Sequence, residues 1–131
     1  MTIEIFTVCD FAQSLGNSIN MMGVFDTINI DRLPFSKSFS VVLRIRYDAG
    51  DLEPKEMSYK LFNPKGENIL ENISSKVDIL SKAEDRTICV NSVLTFNNFV
   101  FDMEGMYKVE METEGKIHEI PIYVSVSKKN R

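Results

Sequence analysis

At 131 residues, the chain is long enough for one domain, residues 1–131, that buries roughly two thirds of its unfolded surface without metals or disulfides. With 44% hydrophobic and 26% charged residues it is too apolar to be disordered, and its net charge of −4 repels phosphate backbones and anionic membrane surfaces. No run of about 20 uncharged residues offers a transmembrane span.

The opening "MTIEIFTVCD" has no basic n-region, and Glu4 interrupts an apolar run already too short for a secretory signal, so a cytosolic protein is expected. Cys9 and Cys89 lie far apart in no metal-type spacing and fit reduced thiols, with a Cys9 to Cys89 bridge as the alternative.

Residues 8–31, "VCDFAQSLGNSINMMGVFDTINID", read as the first hairpin, two apolar runs folded about Gly16-Asn17. That register sets Asp10 opposite Gly23 and Asp26 opposite Thr7, with the two carboxylates roughly 10 Å apart along the ladder. Asp10, Gln13, Asn20 and Asp26 are the candidate binding residues, because polar side chains inside such runs need a reason. One reason is catalytic: paired carboxylates suit glycoside hydrolysis, and Asp10 with Asp26 is the pair to test. The structural reason is simpler and preferred. Asp and Asn accept backbone N–H bonds where a strand bends, and Gly23 permits a bulge or close backbone approach.

"FSVVLRIRY" follows, with Phe39, Val41, Leu43, Ile45 and Tyr47 on one face and Ser40, Arg44 and Arg46 on the other, a strand with one buried side. The loop "DAGDLEPKE" is acidic and reads as solvated surface; Asp48, Asp51, Glu53 and Glu56 lack the alternation and central glycine of an EF-hand loop. "MSYKLF" repeats the strand pattern and "NPKGE" supplies the reversal. In "ILENISSKVDIL" helix and strand periodicities compete over residues 69–83, and the β-rich flanks favour strand. "TICVNSVLTF" then alternates Ile88, Val90, Leu94 and Phe96.

The last third reads as a hairpin about Gly115, with Tyr107, Val109 and Met111 answered by Ile120, Ile122, Val124 and Val126. Pro121 cannot donate to a ladder, so this last strand is expected at an edge or with an unpaired side there. Gly105 two residues before Tyr107 resembles a tyrosine corner. Seven or eight short strands with turn signals every 8 to 12 residues define an all-β, antiparallel, immunoglobulin-like β-sandwich.

Little chemistry accompanies this scaffold. The one histidine, His118, is expected on the polar face of the last strand beside Glu119, facing water. The supply of His and Cys is too small for a zinc site, the six glycines are scattered rather than gathered in a phosphate loop, and Trp, the best sugar platform, is absent. The basic "SKKNR" reads as a solvated tail with no aromatic stacking element. No cofactor, metal or nucleic acid is called for.

"CDFAQS", a turn, then "INMMGVFDTI", together with "EGMYKVEMETEGKIHEIPIYV", resembles the signature of an uncharacterised family of small bacterial proteins carrying a domain of unknown function. The resemblance implies a compact β-sandwich and assigns no catalytic residue, substrate or cofactor. The expected function is a non-enzymatic protein-binding module that uses an edge strand or apolar face for a protein partner or self-association. The alternatives are a small hydrolase on Asp10 and Asp26, or a small-ligand or metal-binding module.

Overall fold

The computed structural model describes residues 1–51, 55–70, 73–77 and 86–127. These hold nine strands: β1 (Thr2–Leu15), β2 (Ser18–Val24), β3 (Thr27–Ile30), β4 (Phe35–Tyr47), β5 (Lys55–Phe62), β6 (Ile73–Val77), β7 (Ile88–Phe101), β8 (Gly105–Thr113) and β9 (Lys116–Val126). They form a four-stranded sheet, β2-β1-β4-β7, and a five-stranded sheet, β3-β9-β8-β5-β6. Every pairing is antiparallel except that of β3 with β9. Among the described residues no helix is long and apolar enough to cross a membrane.

One core joins the two sheets. Phe39, Val41, Leu43, Ile45 and Tyr47 of β4 are buried on one face as their alternation dictates, against Met57, Tyr59 and Leu61 of β5, Tyr107, Val109 and Met111 of β8, and Ile122 and Val124 of β9. Phe39 anchors an aromatic cluster, stacked on Phe96 at 5.0 Å between ring centres and edge-on to Phe99 at 5.7 Å. Tyr107 meets Phe101 edge-on at 5.0 Å. Such pairs add about 0.5–1.5 kcal/mol each beyond the area they bury.

The Tyr107 side chain ends in a pinned corner. Its hydroxyl accepts hydrogen bonds from the N–H groups of Asp102 and Met103, both at 3.2 Å, and donates to Asp102 Oδ1 at 3.2 Å. The loop into β8 is thereby tied to the core, as the spacing of Gly105 and Tyr107 led us to expect.

The β8–β9 turn is Glu114-Gly115, with φ of 51° and 73°. Positive φ at both central residues marks a type I′ turn, whose twist suits a two-residue hairpin. Pro121 stands opposite Lys108 of β8, just before the Tyr123–Val126 segment that receives β3. Its missing N–H therefore falls where β9 has no second neighbour, and beyond that point β9 is an interior strand.

Three expectations need correction. The run 8–31 is not one hairpin: β2 ends at Val24, and the chain crosses to the other sheet as β3, which raises the strand count to nine. A four-residue strand leaves too short a pattern to read. His118 does not face water: it stands opposite buried Met111, and its Nε2 is enclosed without a hydrogen-bond partner among the described residues. Its even parity with Ile120 and Ile122 puts it on their face. Finally, β4 is buried on both faces at Ser40 and Val42. Of the ambiguous stretch 69–83, residues 73–77 are strand, paired with β5, while 71–72 and 78–83 lie outside the described residues.

Candidate functional site

Val42 is fully buried on the face of the four-stranded sheet that points away from the core, so something must cover it. The cover is the opening hairpin. β1 pairs with β4 only as far as Cys9↔Ser40, while its pairing with β2 continues to Leu15↔Ser18. Cys9 and Ala12 both join Val42 in one apolar cluster with Ile5, Ile19, Met21 and Val93. Residues three apart on a regular strand face opposite sides, so the chain turns over between them.

The tip of the hairpin confirms the direction of that turn. Arg44 Nη1 donates to the Asn17 carbonyl at 3.3 Å, although Arg44 pairs with Ile5. A straight strand would carry the tip roughly 35 Å away from Ile5. The distal hairpin is therefore folded back over the sheet, and Ala12, Ile19 and Met21 face down onto it.

Asp10 and Gly23 make the bend. Gly23 has φ of 70°, and a β-carbon there would overlap the Asp10 carboxylate. Asp10 Oδ1 also takes an ion pair from Lys37 Nζ at 2.8 Å, and Lys37 lies 5.0 Å over the Phe25 ring. At this partly exposed position the ion pair contributes about 0–1 kcal/mol, so it orients the bend more than it stabilises it.

With the hairpin folded back, its upper face carries three rungs: Phe11–Met22, Gln13–Asn20 and Leu15–Ser18. Phe11 is 53% exposed and Met22 67%. Of the four predicted site residues, the structure brings Gln13 and Asn20 together as one rung of this face. Asp10 sits at the bend. Asp26 stands at the crossover to the other sheet, where its carbonyl accepts from the Tyr123 N–H at 2.7 Å and its Oδ1 from the Thr27 hydroxyl at 2.9 Å. The expected Asp10–Gly23 opposition holds, whereas Asp26 has left the ladder that would set it opposite Thr7. No hydrogen bond joins Asp10 and Asp26, and each carboxylate has a partner of its own.

Beneath the hairpin tip lies an open depression of about 430 Å³ lined by Asn17, Arg44, Arg46, Arg86, Thr87, Ile88 and Cys89. Its organiser is Glu4. The β1–β4 register shifts between Ile3 and Ile5, which makes Glu4 the extra residue of a bulge. Ile3 accordingly packs in the central core and Ile5 in the outer cluster. The Glu4 carboxylate takes Arg46 Nε at 2.7 Å, Arg44 Nε at 2.9 Å and the Cys89 thiol at 3.2 Å. Arg46, Cys89 and Arg44, in that order, pull its carboxyl from 4.5 down to about 2. Arg44 Nη1 also donates to Asn91 Oδ1 at 2.8 Å, and Arg46 Nη1 to the Thr87 hydroxyl at 2.9 Å.

Both cysteines are free thiols. Burial raises the pKa of Cys9, and burial together with the bond to Glu4 raises that of Cys89. Neither is an activated nucleophile, which needs a lowered pKa. Among the described residues no three His, Cys, Asp or Glu side chains gather as a metal site needs. The basic depression was missed in the sequence because Glu4 reads as an outward residue of a regular strand. The one available signal was Arg44 with Arg46, two residues apart on a single strand face.

No curated protein matches the chain. A solved structure from Bacteroides fragilis, described as a "putative beta-galactosidase", is similar at 18% identity with a TM-score of 0.38. That similarity covers 71% of this chain and 15% of the other, so the chain spans only a small part of that protein's length. The model of a family of unknown function, DUF6941, matches residues 4–125, and the chain belongs to that family.

Proposed function

We propose that the protein is a cytosolic, non-enzymatic interaction module of immunoglobulin-like form that associates with a second copy of itself through β2. The observation that carries this reading is the exposed Phe11–Met22 rung on an edge strand. Edge strands are ordinarily protected by charge or proline, and "SINMMGV" has neither. A chain of net charge −4 repels its own copies over most of its surface, so an uncharged edge is where two copies approach at least cost. Antiparallel pairing of β2 with β2 about a twofold axis satisfies the edge backbone groups and covers the same apolar rung on both copies. The Tyr107 corner supports the immunoglobulin-like form, and two free cysteines fit a reducing compartment.

Light scattering coupled to size exclusion tests the proposal. Wild-type protein is expected to move from monomer to dimer mass as concentration rises, and Met22→Lys, at an exposed position, to remain monomeric, with the same melting temperature as wild type at concentrations where both are monomers. A monomer at every concentration, or a dimer that Met22→Lys leaves intact, contradicts it. The hydrolase alternative draws no support from the geometry, since Asp10 is engaged by Lys37 and Asp26 by Thr27.

A further inference from the structure

We infer that the depression beneath the hairpin tip is a binding site for an oxyanion group, a phosphate or a carboxylate carried by a small solute. Three arginines, Arg44, Arg46 and Arg86, line it together with Thr87 and Asn17. Among the described residues Glu4 is the one carboxylate that pairs with any of them, so the described lining is positive within a chain of net charge −4. Guanidinium groups of like charge gathered in one concavity repel each other, and an anion among them relieves that repulsion.

The arginines are also oriented. Arg44 and Arg46 turn their Nε atoms to the two Glu4 oxygens, Arg46 adds its Nη2 to Glu4 Oε1 at 3.3 Å, and Asn91 and Thr87 hold one Nη1 each. A guanidinium fixed in this way loses little freedom when its remaining N–H groups take an anion, and the planar fork of Arg86 matches a carboxylate or phosphate edge. Arg86 is different: it has no ion pair or hydrogen bond among the described residues, so its donors remain available. The hairpin tip closes one side through the Arg44 bond to the Asn17 carbonyl. A volume of about 430 Å³ admits an anionic group with a small organic body, within the ordinary size range of ligand pockets.

The site is distinct from the β2 edge, so it stands or falls independently of self-association. The test is a titration of the full chain with inorganic phosphate, and separately with succinate, at constant low ionic strength, followed by nitrogen–proton NMR spectra. Saturable shifts are expected at the Asn17, Thr87 and Cys89 amides and at the Arg44 and Arg46 Nε–H signals. Arg86→Gln is expected to weaken binding about tenfold, the scale of one charge-assisted contact. Its melting temperature should not change, because Arg86 is exposed and makes no hydrogen bond or ion pair among the described residues. A response to phosphate alone assigns a phosphate-bearing ligand, and an equal response to succinate assigns a carboxylate. Shifts that chloride reproduces at equal ionic strength, shifts spread over the whole surface, or an affinity that Arg86→Gln leaves unchanged overturns the inference.

Discussion

The carboxylate of Asp10 lies in the space that a β-carbon at position 23 would occupy. Gly23 therefore meets two demands at once, a φ of 70° and room for the Asp10 side chain. Gly23→Ala is expected to destabilise the fold by about 2–4 kcal/mol, combining backbone strain with overlap. Gly16→Ala, at φ of 60° with no atom near its β-carbon, should cost only about 1–2 kcal/mol. Urea denaturation of both variants and of the Asp10→Ala/Gly23→Ala pair checks this: removal of the Asp10 carboxylate should recover most of the overlap, the β-carbon of residue 10 remaining in close contact at 3.0 Å, and leave the strain.

Val42 reports on the cover over the outer face. Val42→Ala should cost about 1–3 kcal/mol, the scale for removing buried methyl groups that cannot be replaced by collapse. The same variant should speed hydrogen exchange at the hairpin amides, because Ala12, Ile19 and Met21 lose part of the surface they rest on. Exchange confined to its wild-type rates would mean that the hairpin does not depend on this contact.

Tyr107→Phe keeps the ring and removes the hydroxyl that serves Asp102 and Met103. The expected loss is about 1–3 kcal/mol, the scale for partly buried polar groups left unpaired. The denaturant slope should stay unchanged, since the core volume is retained.

Glu4 makes stability sensitive to acid. Its folded pKa of about 2 lies below its ordinary 4.5, so the folded state favours the ionised form. The stabilisation it brings is present above pH 4.5 and is lost as pH falls toward 2. Glu4→Gln should flatten the melting-temperature profile across that window relative to wild type. High salt should shrink the difference, because the group is partly exposed.

Much of the architecture was legible because burial on one side of a sheet writes period two into a strand. The 39–47 and 107–111 runs show it, and the Gly16-Asn17 turn fixed the first hairpin's register correctly. Where the structure departs, a single residue breaks the period. Glu4 inserts into β1 and moves Ile5 to the outer face. Asp10 and Gly23 turn the hairpin over, so that Ala12 lies with Cys9. Alternation alone cannot reveal such breaks, since Ile3, Ile5 and Val8 are apolar on either face. Gln13 and Asn20 were singled out as polar residues in apolar runs, not as one rung, and the arginine site was not singled out, because it joins Arg44 and Arg46 of β4 to the start of β7, to Glu4 of a bulged β1 and to a hairpin tip that the fold-back brings over them.

The folded-back hairpin is the claim on which the covered face, the exposed rung and the basic depression all depend. Methyl-resolved nuclear Overhauser spectra measure it most directly. Cross-peaks from the Ile19 or Met21 methyl groups to Val42 or Val93 are predicted, since these side chains share one cluster. A hairpin extending straight from the sheet would show contacts only within β1 and β2, and the absence of every peak to Val42 and Val93 would contradict the account.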